Sequence, residues 1–267
     1  MFYQKEIHTT WNNFFYRDDI KKELDIIYSQ VGLSIKHEYL YTDEKEIDKY
    51  YFPCEKYVFR VFKSDLKKIK YLILGMDPYP SYFFCDKKII PTATGRSFEI
   101  QNKKSFKDKI AQSSLTNILK TLYYDKFKTI ENISNIREKI CEFDDIKKYL
   151  HIKNVDTEKL NILNIKNWFL WTQMQGVLWL NSSLTVKPNH SGSHIKIWEY
   201  FINELLKYID ENINIKYLVW GENAYERIKN IISNKKIIKF CHPATRNNNT
   251  FIIDNCFKYM KDINFYK

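Results

Sequence analysis

Four short apolar runs constrain this chain more than any other feature: Tyr71–Leu74, Val177–Leu180, Tyr217–Trp220 and Ile237–Phe240. Each is too short for a stable helix and is apolar at nearly every position rather than at alternate ones. That pattern belongs to strands buried on both faces of a sheet. Helical periodicity fills the intervals. DDIKKELDIIYSQVG (18–32) carries Ile20, Leu24, Ile27 and Tyr28 on one face, with Asp18 as a cap and Gly32 as a stop. SSLTNILKTL (113–122), HIKIWEYFINELLKYI (194–209), ENAYERIKNII (222–232) and roughly 252–261 read the same way. Buried strands alternating with helices predict an α/β fold, with a central four-stranded, mainly parallel sheet flanked by helices on both sides. Sheets of this kind place ligands at the carboxyl ends of their strands.

Those ends hold unusual chemistry. The first run enters Gly75-Met76-Asp77-Pro78-Tyr79-Pro80, where the prolines cannot donate to a ladder and force the strand to stop. The second ends at Asn181, the third at the Trp220-Gly221 turn, and the fourth at Cys241-His242-Pro243. Any one of these has an ordinary reading, as a strand-exit turn, a cap or a loop histidine. The ordered set is the signal.

Length and composition bound the rest. A chain of 267 residues is long enough for a real core and reads as a single domain over 1–267. Residues 123–165 are rich in charge and lack glycine and proline, and they read as a helical insertion. The five cysteines form no C-x-x-C pair and the six histidines no H-E-x-x-H pair, so neither a disulfide scaffold nor a metal site is expected. No apolar run is long enough to span a membrane, and the N-terminus lacks a secretory pattern. The expectation is a cytoplasmic protein, or a nuclear one in a eukaryote, and a monomer. The net charge of +11 suits a nucleic-acid partner, but only six of the 43 basic residues are arginine. Such a lysine excess also follows from an AT-rich genome, so charge alone does not decide.

The strand-end motifs resemble those of family-1 uracil-DNA glycosylases. That family's G-Q-D-P-Y-H is similar to residues 75–80, its G-V-L-L-L-N to Gly176-Val177-Leu178-Trp179-Leu180-Asn181, and its L-T-V and later S-H to Leu184-Thr185-Val186 and Ser193-His194. Its W-G turn resembles Trp220-Gly221, and its H-P-S-P-L loop resembles His242-Pro243-Ala244-Thr245-Arg246. The matches keep the family's order and run from about Trp11 to the end.

The resemblance implies an enzyme that hydrolyses the N-glycosidic bond of uracil in DNA, in base excision repair, without metal or other cofactor. It implies Asp77 and His242 as the catalytic pair. Met76, Tyr79, Phe98 and Asn181 would line the base, with Phe98 stacking, Asn181 reading the uracil edge and Tyr79 excluding thymine's methyl group. Ser114, Ser193 and Arg246 would contact DNA, Arg246 filling the gap left by a flipped base. Several positions depart from the pattern. Met76 replaces glutamine, Pro80 histidine, Ala244 serine and Arg246 leucine, and Glu222 follows W-G where serine is usual. Poxvirus-type members also combine G-x-D-P-Y-P with H-P-A and arginine. The loop from Tyr79 to Phe98 is longer than usual, and a carboxylate at 222 would repel phosphate unless it points away. An alternative is therefore a glycosylase-fold binding module with little or no catalysis, using 123–165 to dock a protein partner. A weaker one keeps the enzyme and changes the excised base.

Overall fold

The computed structural model describes residues 7–32, 40–41, 47, 49–143, 159–245 and 249–266. The elements that matter for function run as follows: α1 (Asp18–Val31), β1 (Tyr71–Gly75), β2 (Tyr82–Cys85), β3 (Lys88–Pro91), α2 (Ser113–Phe127), α3 (Ile133–Glu138), β4 (Ile140–Phe143), β5 (Leu160–Leu163), α4 (Ile165–Met174), β6 (Val177–Asn181), α5 (Glu199–Asn212), β7 (Lys216–Trp220), α6 (Glu222–Ile228), β8 (Ile237–Phe240) and α7 (Thr250–Asp254). The expected sheet is present, all parallel, in the order β6-β1-β7-β8.

Period-two alternation splits the strands between two cores. Leu72, Leu74, Leu178, Leu180, Tyr217 and Val219 face one core with Ile20, Leu24 and Ile27 of α1 and Phe201, Ile202 and Leu205 of α5. Tyr71, Ile73, Val177, Trp179, Leu218 and Trp220 face the other, with Leu115, Ile118 and Leu122 of α2 and Trp168 and Phe169 of α4. The register aligns Gly75 with Asn181 and Trp220 with Phe240. The carboxyl ends are therefore flush across the sheet. Because β1 sits between β6 and β7, the chain reverses direction of travel at this edge, the place where such sheets open a crevice.

Two expectations change. The described part of residues 123–165 is not wholly helical: α2 runs on to Phe127, α3 is short, and β4 and β5 pair as a two-stranded parallel sheet. Residues 144–158 lie outside the described residues, so the docking role expected for this region rests partly on unseen chain. The long loop after Tyr79 is a hairpin, β2 against β3, turning at Asp86 and Lys87, both with positive φ. A two-residue turn with both φ positive matches the right-handed twist of the strands, and asparagine or aspartate tolerates it best after glycine. Among the described residues no helix is long and apolar enough to cross a membrane, and no cluster of three His, Cys, Asp or Glu side chains is placed to hold a metal.

Candidate active site at the strand ends

Beyond β1 the chain turns through residues 75–80, and a second loop, 182–192, clamps that turn. Ser182 and Ser183 donate backbone N–H groups to the carbonyls of Gly75 (2.9 Å) and Met76 (3.2 Å), and Asn189 donates to that of Pro80 (2.9 Å). Asp77 is fixed by the same loop. The Ser191 hydroxyl donates to its two carboxylate oxygens at 3.2 and 3.0 Å, and the Gly192 N–H donates to Oδ2 at 2.5 Å. Burial pushes the Asp77 carboxyl upward, while the two donors pull it back down. The turn is thus held by bonds as well as by proline geometry, and its carboxylate has one orientation.

A cavity of about 340 Å³ opens over this turn, lined by Met76, Asp77, Tyr79, Phe98, Ser114, Asn181, Ser191, Asn223 and His242 among others. It continues into a smaller recess of about 160 Å³ over Trp220, Gly221 and Glu222. Pockets of a few hundred Å³ are the size that holds small ligands.

His242 leaves β8 and reaches the slot over Gly221. With φ +99° and ψ 164°, Gly221 takes a conformation other residues avoid, and a Cβ there would lie 2.9 Å from the Cβ of His242. The Ala244 N–H donates to His242 Nδ1 at 3.1 Å. A nitrogen that accepts carries no proton, so the neutral ring is protonated on Nε2 and donates from there. Partial desolvation lowers the His242 pKa, although the residue stays exposed to solvent, and this favours the neutral form.

Asn181 ends β6 and is 3% exposed, and its Oδ1 has no hydrogen-bond partner among the described residues. It crosses so close to β1 that a Cβ on Gly75 would lie within van der Waals exclusion of Oδ1. A buried amide oxygen without a partner costs free energy, and here it is an acceptor waiting for a donor. Phe98 has φ +64°, an uncommon conformation for a bulky residue, and its ring packs 5.0 Å from that of Trp220. This outlier turns an aromatic face towards the slot. The Tyr79 hydroxyl is buried without a partner among the described residues, and burial raises its pKa. Ser114, buried in the first turn of α2, completes the wall.

Sequence reasoning thus located Asp77, Met76, Tyr79, Phe98, Ser114, Asn181 and His242, and all seven line one slot. Ser193 directly follows the clamping loop and is off the slot; it is exposed, and its Oγ accepts from the Lys187 N–H at 2.8 Å. Arg246 lies outside the described residues. Glu222, expected to repel phosphate, is paired with Lys239 at 2.6 Å, and the same ammonium sits 4.2 Å from the Tyr225 ring centroid. Three contributors were missed. Ser191 and Gly192 hold Asp77 from more than a hundred positions away, and Asn223 lines the wall from α6. The S-G-S-H run was a faint pointer to the first two.

No family model matches the chain. The uracil-DNA glycosylase of Borreliella burgdorferi is 29% identical over 267 residues, covering 96% of this chain and 93% of that protein. The uracil-DNA glycosylase of Borrelia turicatae is 30% identical over 239 residues, covering 86% of this chain and 84% of that one. Among solved structures, the wild-type UNG of Nitratifractor salsuginis superposes with a TM-score of 0.66 at 16% identity, covering 98% of this chain and 93% of that one. Mimivirus uracil-DNA glycosylase gives 0.59 at 23% identity, covering 90% and 71%. With identity of that extent running across most of both chains, and the strand-end motif residues gathered in one slot, the chain belongs to the uracil-DNA glycosylase family.

Proposed function

We propose that this chain excises uracil from DNA by hydrolysing its N-glycosidic bond, leaving an abasic site for base excision repair. The observation that carries the reading is a single slot lined by a clamped carboxylate, a neutral imidazole donating from Nε2, and a buried amide oxygen without a partner. Each matches one demand of the reaction. Bond cleavage builds positive charge on the sugar and negative charge on the departing base. The Asp77 carboxylate stabilises the first and orients the attacking water, as one carboxylate does in glycoside hydrolysis. His242 Nε2–H donates to the base oxygen where the second develops, a kind of contact whose removal typically costs about 2.7–4 kcal/mol. Asn181 Oδ1 accepts from the uracil N3–H, Phe98 stacks on the ring, and Tyr79 occupies the space a 5-methyl group would need. In cytosine N3 has no hydrogen, so the Asn181 acceptor would be left unpaired.

A duplex base reaches the slot only when flipped out, at a cost of a few kcal/mol. Ser114 at the amino end of α2 is suited to a phosphate oxygen, and Ser193 keeps a hydroxyl proton for another. The Glu222–Lys239 pair removes the main electrostatic objection to DNA at this edge. That favours the enzyme over a binding module. Incubating the protein with a uracil-containing oligonucleotide and then alkali should cleave the strand at uracil. Asp77→Asn and His242→Ala, folded as judged by circular dichroism, should each slow excision at least a hundredfold. Three equally inert proteins would refute the reading.

A further inference from the structure

A cavity larger than the slot lies elsewhere among the described residues. A space of about 580 Å³ opens beside α4 and shares no lining residue with the slot. Arg60, Lys103, Lys104 and Lys166 line it, and Glu99 is its one carboxylate among the described residues. That carboxylate is already committed. It accepts from Arg60 at 2.9 Å, from Arg96 at 3.1 Å and from the Thr94 hydroxyl. Two guanidiniums against one carboxylate leave the buried cluster with a net positive charge, and Arg96, 5% exposed, has its pKa lowered by burial and by the Arg60 charge, against the raising effect of Glu99. Lys103, Lys104 and Lys166 have no ion pair among the described residues, so their charges add to the excess. The ten-residue helix α4 contributes its positive end: Asn164 caps it by accepting from the Asn167 N–H at 3.0 Å, and both residues line the cavity.

The cavity is built, not incidental. Gly95, at φ +86°, packs so tightly under Tyr57 that any Cβ would collide with the Tyr57 carbonyl. This close approach places the Thr94 carbonyl to accept from Arg60 at 3.1 Å, and the Arg60 guanidinium sits 5.2 Å from the Tyr57 ring centroid. A pre-positioned guanidinium, three unpaired ammonium groups and a helix amino end converge on a space large enough for a small ligand. Such a set recognises phosphate. The carboxamides of Gln101 and Asn167 on the wall suit the polar edge of a base.

We propose that this cavity binds a phosphate-bearing ligand of nucleotide size, at a site separate from the slot. The nucleotide is either free or part of a DNA strand, and one titration separates the two. Calorimetry at low salt should show ADP binding saturably to the wild-type protein. Lys103→Glu/Lys104→Glu, and separately Lys166→Glu, should weaken it at least tenfold. A control reversal of equal charge at exposed Lys258 and Lys261 should not. Asp77→Asn should bind ADP as the wild type does, whether or not the protein excises uracil, so the two readings fail independently. Displacement of ADP by a uracil-free 5′-phosphorylated oligonucleotide identifies the strand as the source; retention of ADP identifies a free nucleotide. Absence of saturable ADP binding, or equal weakening by the cavity and control reversals, overturns the proposal.

Discussion

Replacing Gly75 by alanine should disable the slot without touching any group that reacts. Gly75 is outside the positive-φ glycines, so the backbone itself accepts alanine. The obstacle is space. The new methyl would fall inside contact distance of Asn181 Oδ1 and 2.8 Å from the Ser97 Cβ. Non-bonded carbon atoms settle at about 3.5–4.0 Å, so Ser97 must retreat by roughly 0.7 Å or more. Asn181 must move by a similar amount. The Ser97 N–H donates to the Trp179 carbonyl at 3.1 Å, which ties that residue to β6 and resists the retreat. Overpacking of this kind costs about 1–3 kcal/mol. At about 2–4 °C per kcal/mol for a chain slightly smaller than this one, the melting temperature should drop by roughly 2–12 °C. Displacing a positioning group by about 1 Å costs about a hundredfold in rate. Single-turnover excision from a uracil oligonucleotide, measured beside a thermal melt, reads both effects. Wild-type rate with a wild-type melting temperature would show that Asn181 does not lie against Gly75 as described, and the account of base recognition would fail with it.

Other outcomes follow from the same geometry. Asn181→Leu should cut excision at least a hundredfold while leaving the melting temperature unchanged or raised, because it removes a buried acceptor that has no partner in the free protein. Ser191→Ala removes a donor that favours the Asp77 carboxylate, so the acid limb of the rate profile should move to higher pH. Glu222→Gln leaves Lys239 uncompensated at the slot's edge and should lower KM for DNA, with the gain vanishing as salt is raised. His194 is buried as the neutral ring, its pKa lowered to about 4 by desolvation and by Lys187. Its unfolded value is higher, so the unfolded chain binds the proton first, and its contribution to stability is complete above pH 6.5 and lost as pH falls towards 4. Urea titrations across that range should show the decline, flattened in His194→Gln.

The parts of this fold that could be read from the chain are those where one local pattern has one solution. Four short apolar runs, each closed by a glycine, proline or polar break, became strands whose ends fall within a residue of expectation, the fourth, at the sheet edge, only partly buried. The stripe over 18–32 became α1 with Gly32 in the left-handed conformation as its stop. Errors arose where local signals were ambiguous. The stripe over 194–209 begins as turns, and regular helix starts at Glu199. The final helix is cut at Asn255, which takes φ +46° and leaves α7 and a short 3-10 turn, Cys256–Tyr259, on either side. The β2–β3 hairpin went unseen because Asp86-Lys87 lacks the glycine that normally marks such a turn. Runs such as Leu160–Leu163 are too short to separate from helix by periodicity, which is why β4 and β5 were read as helical. In the site, side chains that do chemistry follow their own strands and could be located. The Gly192 amide could not, because an interaction through a backbone N–H leaves almost no mark on residue identity, nor could the Ser191 hydroxyl, which reaches Asp77 from more than a hundred positions away.

The central claim is that Asp77, Asn181 and His242 surround a slot shaped for one pyrimidine. The most direct test is a crystal of this protein soaked with free uracil. The account predicts the ring stacked on Phe98, N3 within hydrogen-bond distance of Asn181 Oδ1, and His242 Nε2 on a carbonyl oxygen of the base. Uracil bound elsewhere with the slot left to solvent, or lying in the slot with neither contact made, would contradict it.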